Sequence, residues 1–315
     1  MASANFKSLI SEQENITNNT KILVTGAVGK IGTAAVQQLL QRDFTVRALV
    51  RRKDERATRL GVLGAEIVQG DLHDLKSMRA AMQGVQRVYF IYPPQGEQLV
   101  EASTIAAVAA REAGVEVLVN MSQITARPTA ASPLSRQHWL AENVLDWADV
   151  GAVHVRRTFF AENLLMFGAA TVASEGKLYL PFGVEKHASV SAADIARVVV
   201  GILANPSDHV GVRDVLTGPR NLSLTEMAEV LSKELGKLIE YVDLPVEHWG
   251  QVLAGVDGMS DSLVTHLKAV AVDHRNGIFR GETDVVERIG GQSPQSLGDF
   301  VHEHRAMFGA LQAVA

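Results

Sequence analysis

Residues 21–32 read KILVTGAVGKIG, and the fold turns on how this stretch divides. Residues 21–25 form a short apolar run closed by Gly26, the pattern of a buried strand. From Ile31 the period changes, and Ile31, Ala35, Leu39 and Leu40 share one helical face. Gly26, Gly29 and Gly32 fall between the two, spaced GxxGxxG at the strand-to-helix turn. Each glycine has its own reason to be there: Gly26 permits a tight turn, Gly29 lets backbone approach a pyrophosphate, and Gly32 lets the helix pack close to the strand. The helix N-terminus then aims N–H groups and a positive dipole at whatever lies over the loop. Glycines also punctuate ordinary turns, so it is the place between strand and helix that points to dinucleotide binding. The expected contacts in the loop are Gly26, Val28, Gly29, Lys30, Ile31 and Gly32.

The same alternation runs on. Residues 45–50, 65–69, 85–91, 115–121 and 152–156 read as further strands with helical stretches between them. Six strands linked in this way imply a parallel sheet, because parallel neighbours need crossover connections, and strands apolar on both faces imply cover on both sides. After Arg157 the rhythm loosens. Residues 158–174 read as a helix and 177–182 as extended, and Ser223-Leu224-Thr225-Glu226 carries a capping box that opens a helix running to Gly236. Pro245 marks the first turn of another helix, with 262–272 and 296–308 completing the set. The expected architecture is α/β: a Rossmann doubly wound parallel sheet with a second, smaller, mainly helical C-terminal domain. Its parts are a polar leader over 1–20, a dinucleotide-binding domain over 21–157 and a substrate-binding domain over 158–315, parts of which can return to the Rossmann domain.

Composition narrows the partners. The chain has 315 residues, 47% hydrophobic and 21% charged, which is ordinary globular usage. Thirty basic residues against thirty-five acidic ones leave a charge of −5, so no global field draws the chain to nucleic acid or anionic lipid, and a small molecule is the expected partner. With no cysteine, disulfides, thiolate metal sites, iron–sulfur clusters and cysteine nucleophiles are all excluded. The leader lacks the basic start and apolar run of an export signal, and no stretch approaches the roughly 18 apolar residues of a membrane span. A cytoplasmic monomer or homodimer is expected, and the Asn15 and Asn18 glycosylation triplets are chance matches. His302 and His304 lie two apart, which points them to different sides of a helix, so no metal site is expected.

At the end of the second strand the chain reads Ala48-Leu49-Val50-Arg51-Arg52-Lys53. An enzyme selective for NAD usually carries an acid there to accept from the ribose 2′-hydroxyl. Arg51 and Arg52 instead suit a 2′-phosphate, which makes NADP(H) the expected cofactor, with Asp54 and Glu55 close enough in sequence to neutralise the patch. Asp71, in Gly70-Asp71-Leu72 after the third strand, is placed to cap the next turn or to meet the adenine edge together with Leu72. Tyr92-Pro93-Pro94 closes the fourth strand on the same edge of the sheet, where Tyr92 lines the cofactor crevice.

VTGAVGKIG, ALVRR, GDL, SRQHWLAENVL and RRTFFAENLL together resemble the NmrA-like family of atypical short-chain dehydrogenases/reductases, and the likeness extends from Lys21 to Phe308. It implies a Rossmann domain with a small substrate domain, preference for NADP(H), and either a reductase of quinones, azo dyes, triphenylmethane dyes or imines, or a non-catalytic NADP(H)-sensing regulator. Short-chain dehydrogenases normally pair a tyrosine with a lysine four residues on. Here the residues four beyond Tyr89, Tyr92, Tyr179 and Tyr241 are Pro93, Gly96, Gly183 and Pro245, so the pair is absent. In its place, after the fifth strand with Ser122, stands His138-Trp139-Leu140-Ala141-Glu142, as in the family pattern. His138 has three open roles: proton donor, partner to the nicotinamide ribose, or part of the wall. Glu142 orients it or lies in solvent. Without a strong acid the site favours acceptors that take hydride with little simultaneous protonation. By resemblance Ser122 and Phe159 lie against the cofactor and Phe160 and Asn163 against the substrate, with core packing the alternative for both phenylalanines.

Overall fold

The computed structural model describes residues 20–93 and 97–309. Pro94 and all but the last residue of the expected leader, including Asn15 and Asn18, lie outside the described residues. The strands are β1 (Lys21–Val24), β2 (Thr45–Val50), β3 (Glu66–Gln69), β4 (Arg87–Phe90), β5 (Val117–Gln123), β6 (Ala152–Arg157), β7 (Lys177–Leu180), β8 (Lys186–His187), β9 (Arg213–Leu216), β10 (Leu222–Ser223) and β11 (Glu240–Asp243). Seven of them make one sheet in the order β3-β2-β1-β4-β5-β6-β9. β1 pairs in parallel with β2 (Lys21 opposite Thr45) and with β4 (Ile22 opposite Arg87). The chain order therefore reverses at β1, and the loop leaving that strand opens onto the crevice where such sheets bind ligands.

The sheet has one strand more than the apolar pattern reveals. β9 reads RDVL, and its Arg213-Asp214 start breaks the run of apolar residues that marks the other strands. β5 runs to Gln123, two residues beyond its expected end, which puts Ser122 inside the strand.

Chain ends and helix starts follow local chemistry. Asp54 caps the Glu55–Val62 helix by accepting from the backbone N–H groups of Arg56 and Ala57, and Asp74 caps Leu75–Met82 by accepting from Lys76. The Lys30–Gln41 helix starts at Gly29 without a side-chain cap, so no side chain takes up its first N–H groups. Of the expected stripe it buries Ala35 and Leu39 and adds Gly32 and Val36, while Ile31 and Leu40 are half-buried.

Contacts divide the molecule into two compact units that interleave along the chain. The first comprises the residues up to Met121, 140–155 and 196–214, and the second 122–139, 156–195 and the residues from Val215 on. In the first, Arg47 of β2 donates to the carbonyls of Ala81 (2.8 Å) and Gln83 (2.9 Å), satisfying the end of the Leu75–Met82 helix.

In the second unit β7 pairs in parallel with β11 and β8 antiparallel with β10. Leu178, Leu180, Phe182, Met227, Leu231, Trp249, Phe300 and Phe308 belong to its apolar core. The capping box at Ser223 and Glu226 is formed, and Gly236 ends the Leu224–Leu235 helix in the left-handed region (φ +67°). The helix expected over 158–174 is two helices, Glu162–Phe167 and Ala169–Glu175, preceded by a parallel bridge from Phe160 to Val190. Gly168 sits at the break, where a Cβ would lie 2.5 Å from Leu178 Cδ1. Pro245 lies at the N-cap of Val246–Ala254, one place before the first turn, and 296–308 divides into the Leu297–Glu303 helix and a 3-10 turn at Arg305–Phe308.

Candidate cofactor site

The first unit contains a cleft of about 840 Å³ at the carboxyl edge of β1, β2 and β4, lined among others by Gly26, Val28, Gly29, Arg51, Asp71, Leu72 and Tyr92. Gly26 has φ +57°, a conformation that other residues rarely adopt, and a Cβ on it would meet the Ile91 Cβ at 3.2 Å. The turn is closed by Gly29 N–H donating to Gly26 O (2.9 Å) and continued by Thr33 N–H to Gly29 O (2.8 Å). Gly32 is buried, and a Cβ there would fall 2.3 Å from Gly26 O, so it is a spacer beneath the loop and does not line the cleft. Thr25 holds the loop's base: Ile91 N–H donates to its hydroxyl oxygen at 2.7 Å, and the hydroxyl donates to Ile91 O at 3.0 Å.

The far wall is built where β2 and β3 end. Arg51 is exposed, lines the cleft and has no ion-pair partner among the described residues. Asp54 does not neutralise it, since its carboxylate is taken up by Arg56, with Nη2 at 2.6 Å and Nε at 3.0 Å, and by the helix cap. That pairing lowers the Asp54 pKa and raises that of Arg56. Arg56 lines the cleft as well; its place one helical turn past the cations was the signal sequence reading missed. Lys30 and Arg52 are exposed, and neither they nor Ile31 line the cleft. Asp71 caps its own turn, accepting from His73 N–H at 3.0 Å, while its N–H donates to Ser77 Oγ at 2.9 Å. His73, not singled out by the sequence, places Nε2 3.1 Å from the Tyr92 hydroxyl, which also accepts from Gln98 N–H at 3.3 Å. Burial raises the Tyr92 pKa, so the phenol stays protonated near neutrality.

Ser122, His138, Phe159, Phe160 and Asn163 belong to the second unit. Ser122 is buried, and Phe159 is 4% exposed with its ring edge-on to Phe182 (centroids 5.0 Å) and His187 (5.2 Å), a core position. Phe160 is half-buried beneath the Arg157 guanidinium, 3.8 Å from the ring centroid, and Asn163 is half-buried with its N–H on Phe160 O at 3.1 Å. His138 buries Nδ1 without a partner among the described residues. Burial, then Arg157 and His266, push its pKa down to about 3. The ring is therefore neutral at pH 7 and does not supply the proton of an imidazolium.

Glu142 is fully buried, which overturns its solvent-facing alternative. In the first unit it accepts from Arg213 Nε at 3.2 Å, beside a contact from Arg213 to Asp146, which in turn meets His154 Nε2 at 2.9 Å.

Three further histidines of the second unit share the condition of His138. His266, 2.7 Å from Ser132 Oγ, is pushed to about 4 by burial and by Arg157, and burial lowers His274 to about 4. His187 is lowered well below 6.5 by burial and by His274. The bond from His274 to Phe182 O (3.1 Å) requires Nδ1–H on His274, so its Nε2 accepts from His187 Nδ1 at 2.7 Å. Unfolded imidazoles take up protons near pH 6.5 while these resist, so the unfolded state binds more protons between about pH 6.5 and 4. Stability is expected to be full above that window and to fall as pH drops through it. The urea midpoint measured at pH 7.5, 6, 5 and 4.5 checks this, and a constant midpoint contradicts it.

Among the described residues no group of three or more acidic or histidine side chains is arranged to hold a metal ion, and no helix is long and apolar enough to cross a membrane.

A reversal of strand order at β1, a glycine turn with a close-packed third glycine and an uncapped helix start define a Rossmann-type protein with a cleft over that turn. The sequence profile of the NmrA-like family matches residues 18–278, and the chain belongs to that family. It is 32% identical over 291 residues to the NAD(P)H azoreductase of Xenophilus azovorans, covering 92% of this chain and 99% of the relative. Among solved structures it is similar to the NADPH-dependent quinone oxidoreductase of Escherichia coli in complex with NADPH, with 26% identity, a TM-score of 0.79, and 90% and 99% of the two chains covered. The triphenylmethane reductase of Citrobacter sp., at 23% identity, TM-score 0.80 and coverage of 90% and 99%, shares the fold.

Proposed function

We propose that the chain is an NADPH-dependent reductase of small, conjugated, electron-poor acceptors such as quinones, azo compounds or iminium ions. The observation that carries the cofactor reading is Arg51, a cation without an ion-pair partner among the described residues, on the wall of the cleft that begins at Gly26 and Gly29. Gly26, Val28 and Gly29 would hold the pyrophosphate on backbone N–H groups, Arg51 with Arg56 would meet the 2′-phosphate, and Asp71, Leu72 and Tyr92 would border the adenosine. The fit is supported by the Gly32 spacing, since a side chain there would displace the turn. When bound, NADPH supplies a hydride.

The acceptor class follows from what the chain lacks and what burial does to His138. Reduction of an isolated ketone builds an alkoxide that needs a strong proton partner, whereas quinones and iminium ions take hydride with little simultaneous protonation. No tyrosine–lysine pair is present, and a histidine with a pKa of about 3 is a poor acid at pH 7. His138 then serves as a neutral hydrogen-bond partner of cofactor or acceptor, and Phe160 and Asn163 offer an aromatic face and an amide to the acceptor. Similarity to an azoreductase over nearly the whole chain supports the same reading.

Arg51→Ala is expected to cost NADPH, but not NADH, about 1.5–3 kcal/mol of binding, roughly 10- to 150-fold, through loss of charge-assisted bonds to the 2′-phosphate. Calorimetric titration of both cofactors checks it, and an unchanged preference removes the NADP assignment. The activity itself is tested by a panel of quinones, azo compounds and preformed iminium ions with NADPH absorbance as the readout. Saturating oxidation of NADPH that slows in Asn163→Ala supports the reductase. Tight NADPH binding with no turnover across the panel, together with a cofactor-dependent change in protease sensitivity, would replace it with a sensing role.

A further inference from the structure

The second unit has a depression of its own, about 570 Å³ in volume, bounded by the Leu224–Leu235 and Leu297–Glu303 helices and the 219–222 segment. That volume suits a ligand of one or two rings. Its apolar lining is Leu222 and Met227, both buried, with Val230 and Leu297 half-buried. Two cations, Arg220 and Lys233, and two acids, Glu234 and Asp299, surround it. Asp299 is engaged as a helix-start partner, accepting the Ser296 hydroxyl at 2.6 Å, and Glu234 faces His302 Nδ1 at 3.7 Å. Arg220 and Lys233 are exposed on the same depression and have no hydrogen-bond or ion-pair partner among the described residues. On its wall the Ser189 hydroxyl is shut off from solvent and has no hydrogen-bond partner there either, an uncommon state for a buried hydroxyl. The wall is held by backbone, since a Cβ on Gly218 would fall 1.9 Å from Ser189 O, and this contact also anchors the Pro219-Arg220 step that follows.

We propose that this depression is a binding site for a small amphipathic organic anion. An aromatic or short aliphatic body would lie on Leu222, Met227, Val230 and Leu297, and a carboxylate or sulfonate would be met by Arg220 and Lys233. Pairing selects the anion: Asp299 and Glu234 each have a polar neighbour, whereas Arg220 and Lys233 have none among the described residues and border the apolar floor. The site lies wholly within one unit and needs nothing from the dinucleotide cleft, so it stands apart from the reductase reading.

Isothermal titration of the full chain with 2-naphthoate, and with the uncharged 2-naphthamide, tests it. One-to-one binding of naphthoate is expected, at least tenfold tighter than the amide. Affinity should fall at least tenfold in Arg220→Met/Lys233→Met, whose side chains are exposed, and in Val230→Trp, which fills the floor. NADPH affinity should be unchanged in both variants, which separates this site from failure of the cofactor assignment. No saturable naphthoate binding, equal affinity for the amide, or an unaffected double variant would overturn the proposal. With NADPH and a quinone present, competitive inhibition by naphthoate identifies the depression with the acceptor's own site, and an altered kcat without competition identifies it with an effector.

Discussion

Gly29→Val is expected to weaken NADPH binding by about a hundredfold or more, close to 3 kcal/mol, in a chain that still folds. Gly29 is exposed on the cleft at the start of the Lys30–Gln41 helix, and its backbone lies in the extended region (φ −80°, ψ 169°), which valine adopts readily. A Cβ there meets Gly26 O at 3.2 Å, a contact that a few tenths of an ångström relieve. What the isopropyl group removes is the approach of a pyrophosphate to the first N–H groups of the helix. Gly32→Val serves as the contrast, because its Cβ would lie 2.3 Å from a carbonyl oxygen and 2.8 Å from the Ala27 Cα, so thermal stability should fall along with binding. Calorimetry with NADPH, alongside a melting curve for each variant, separates the two effects. NADPH binding by Gly29→Val at wild-type strength would mean that the loop does not cradle the cofactor.

Arg127→Met is expected to destabilise the chain by about 3–5 kcal/mol, the loss seen when one partner of a buried ion pair is removed. In the second unit the Arg127 guanidinium grips the Asp273 carboxylate at 2.5 and 3.0 Å, and the Asp273 side chain is only 4% exposed. Without the arginine that carboxylate is left buried and unpaired on the Asp261–Arg275 helix. Adding Asp273→Asn removes the stranded charge and should recover part of the loss. Urea unfolding of the two variants measures both effects. A deficit below 1 kcal/mol in Arg127→Met, or no recovery in the double variant, would show that the pair does not hold the helix.

The glycine turn and the first six strands were legible because their causes are local. Strand and helix periods at 21–41, the glycine spacing and the run of cations after β2 each depend on residues a few places apart, and the structure places the first six strands within a few residues of their expected positions. The Ser223–Glu226 capping box is local in the same sense, with donor and acceptor three residues apart, and it forms as read.

Features that join distant segments were not legible. β9 carries two charged residues in four, and the pattern of its own residues does not mark it as part of the sheet that it completes beside β6. The parallel pairing of β7 with β11 joins Lys177 to Glu240, a separation no periodicity can express. The histidines show the same divide most sharply. His138, His187, His266 and His274 are ordinary letters in the sequence, each with a reference pKa of about 6.5. Burial, the Arg157 charge and the contact between His187 and His274 across 87 residues hold all four neutral, which weakens the proton-donor role among the three open to His138. Backbone period, caps and tight turns are set by neighbours along the chain, so the sequence by itself determined them. Desolvation and charge–charge interaction depend on distance in space, and only the tertiary structure decided which of the polar side chains are charged and which are paired.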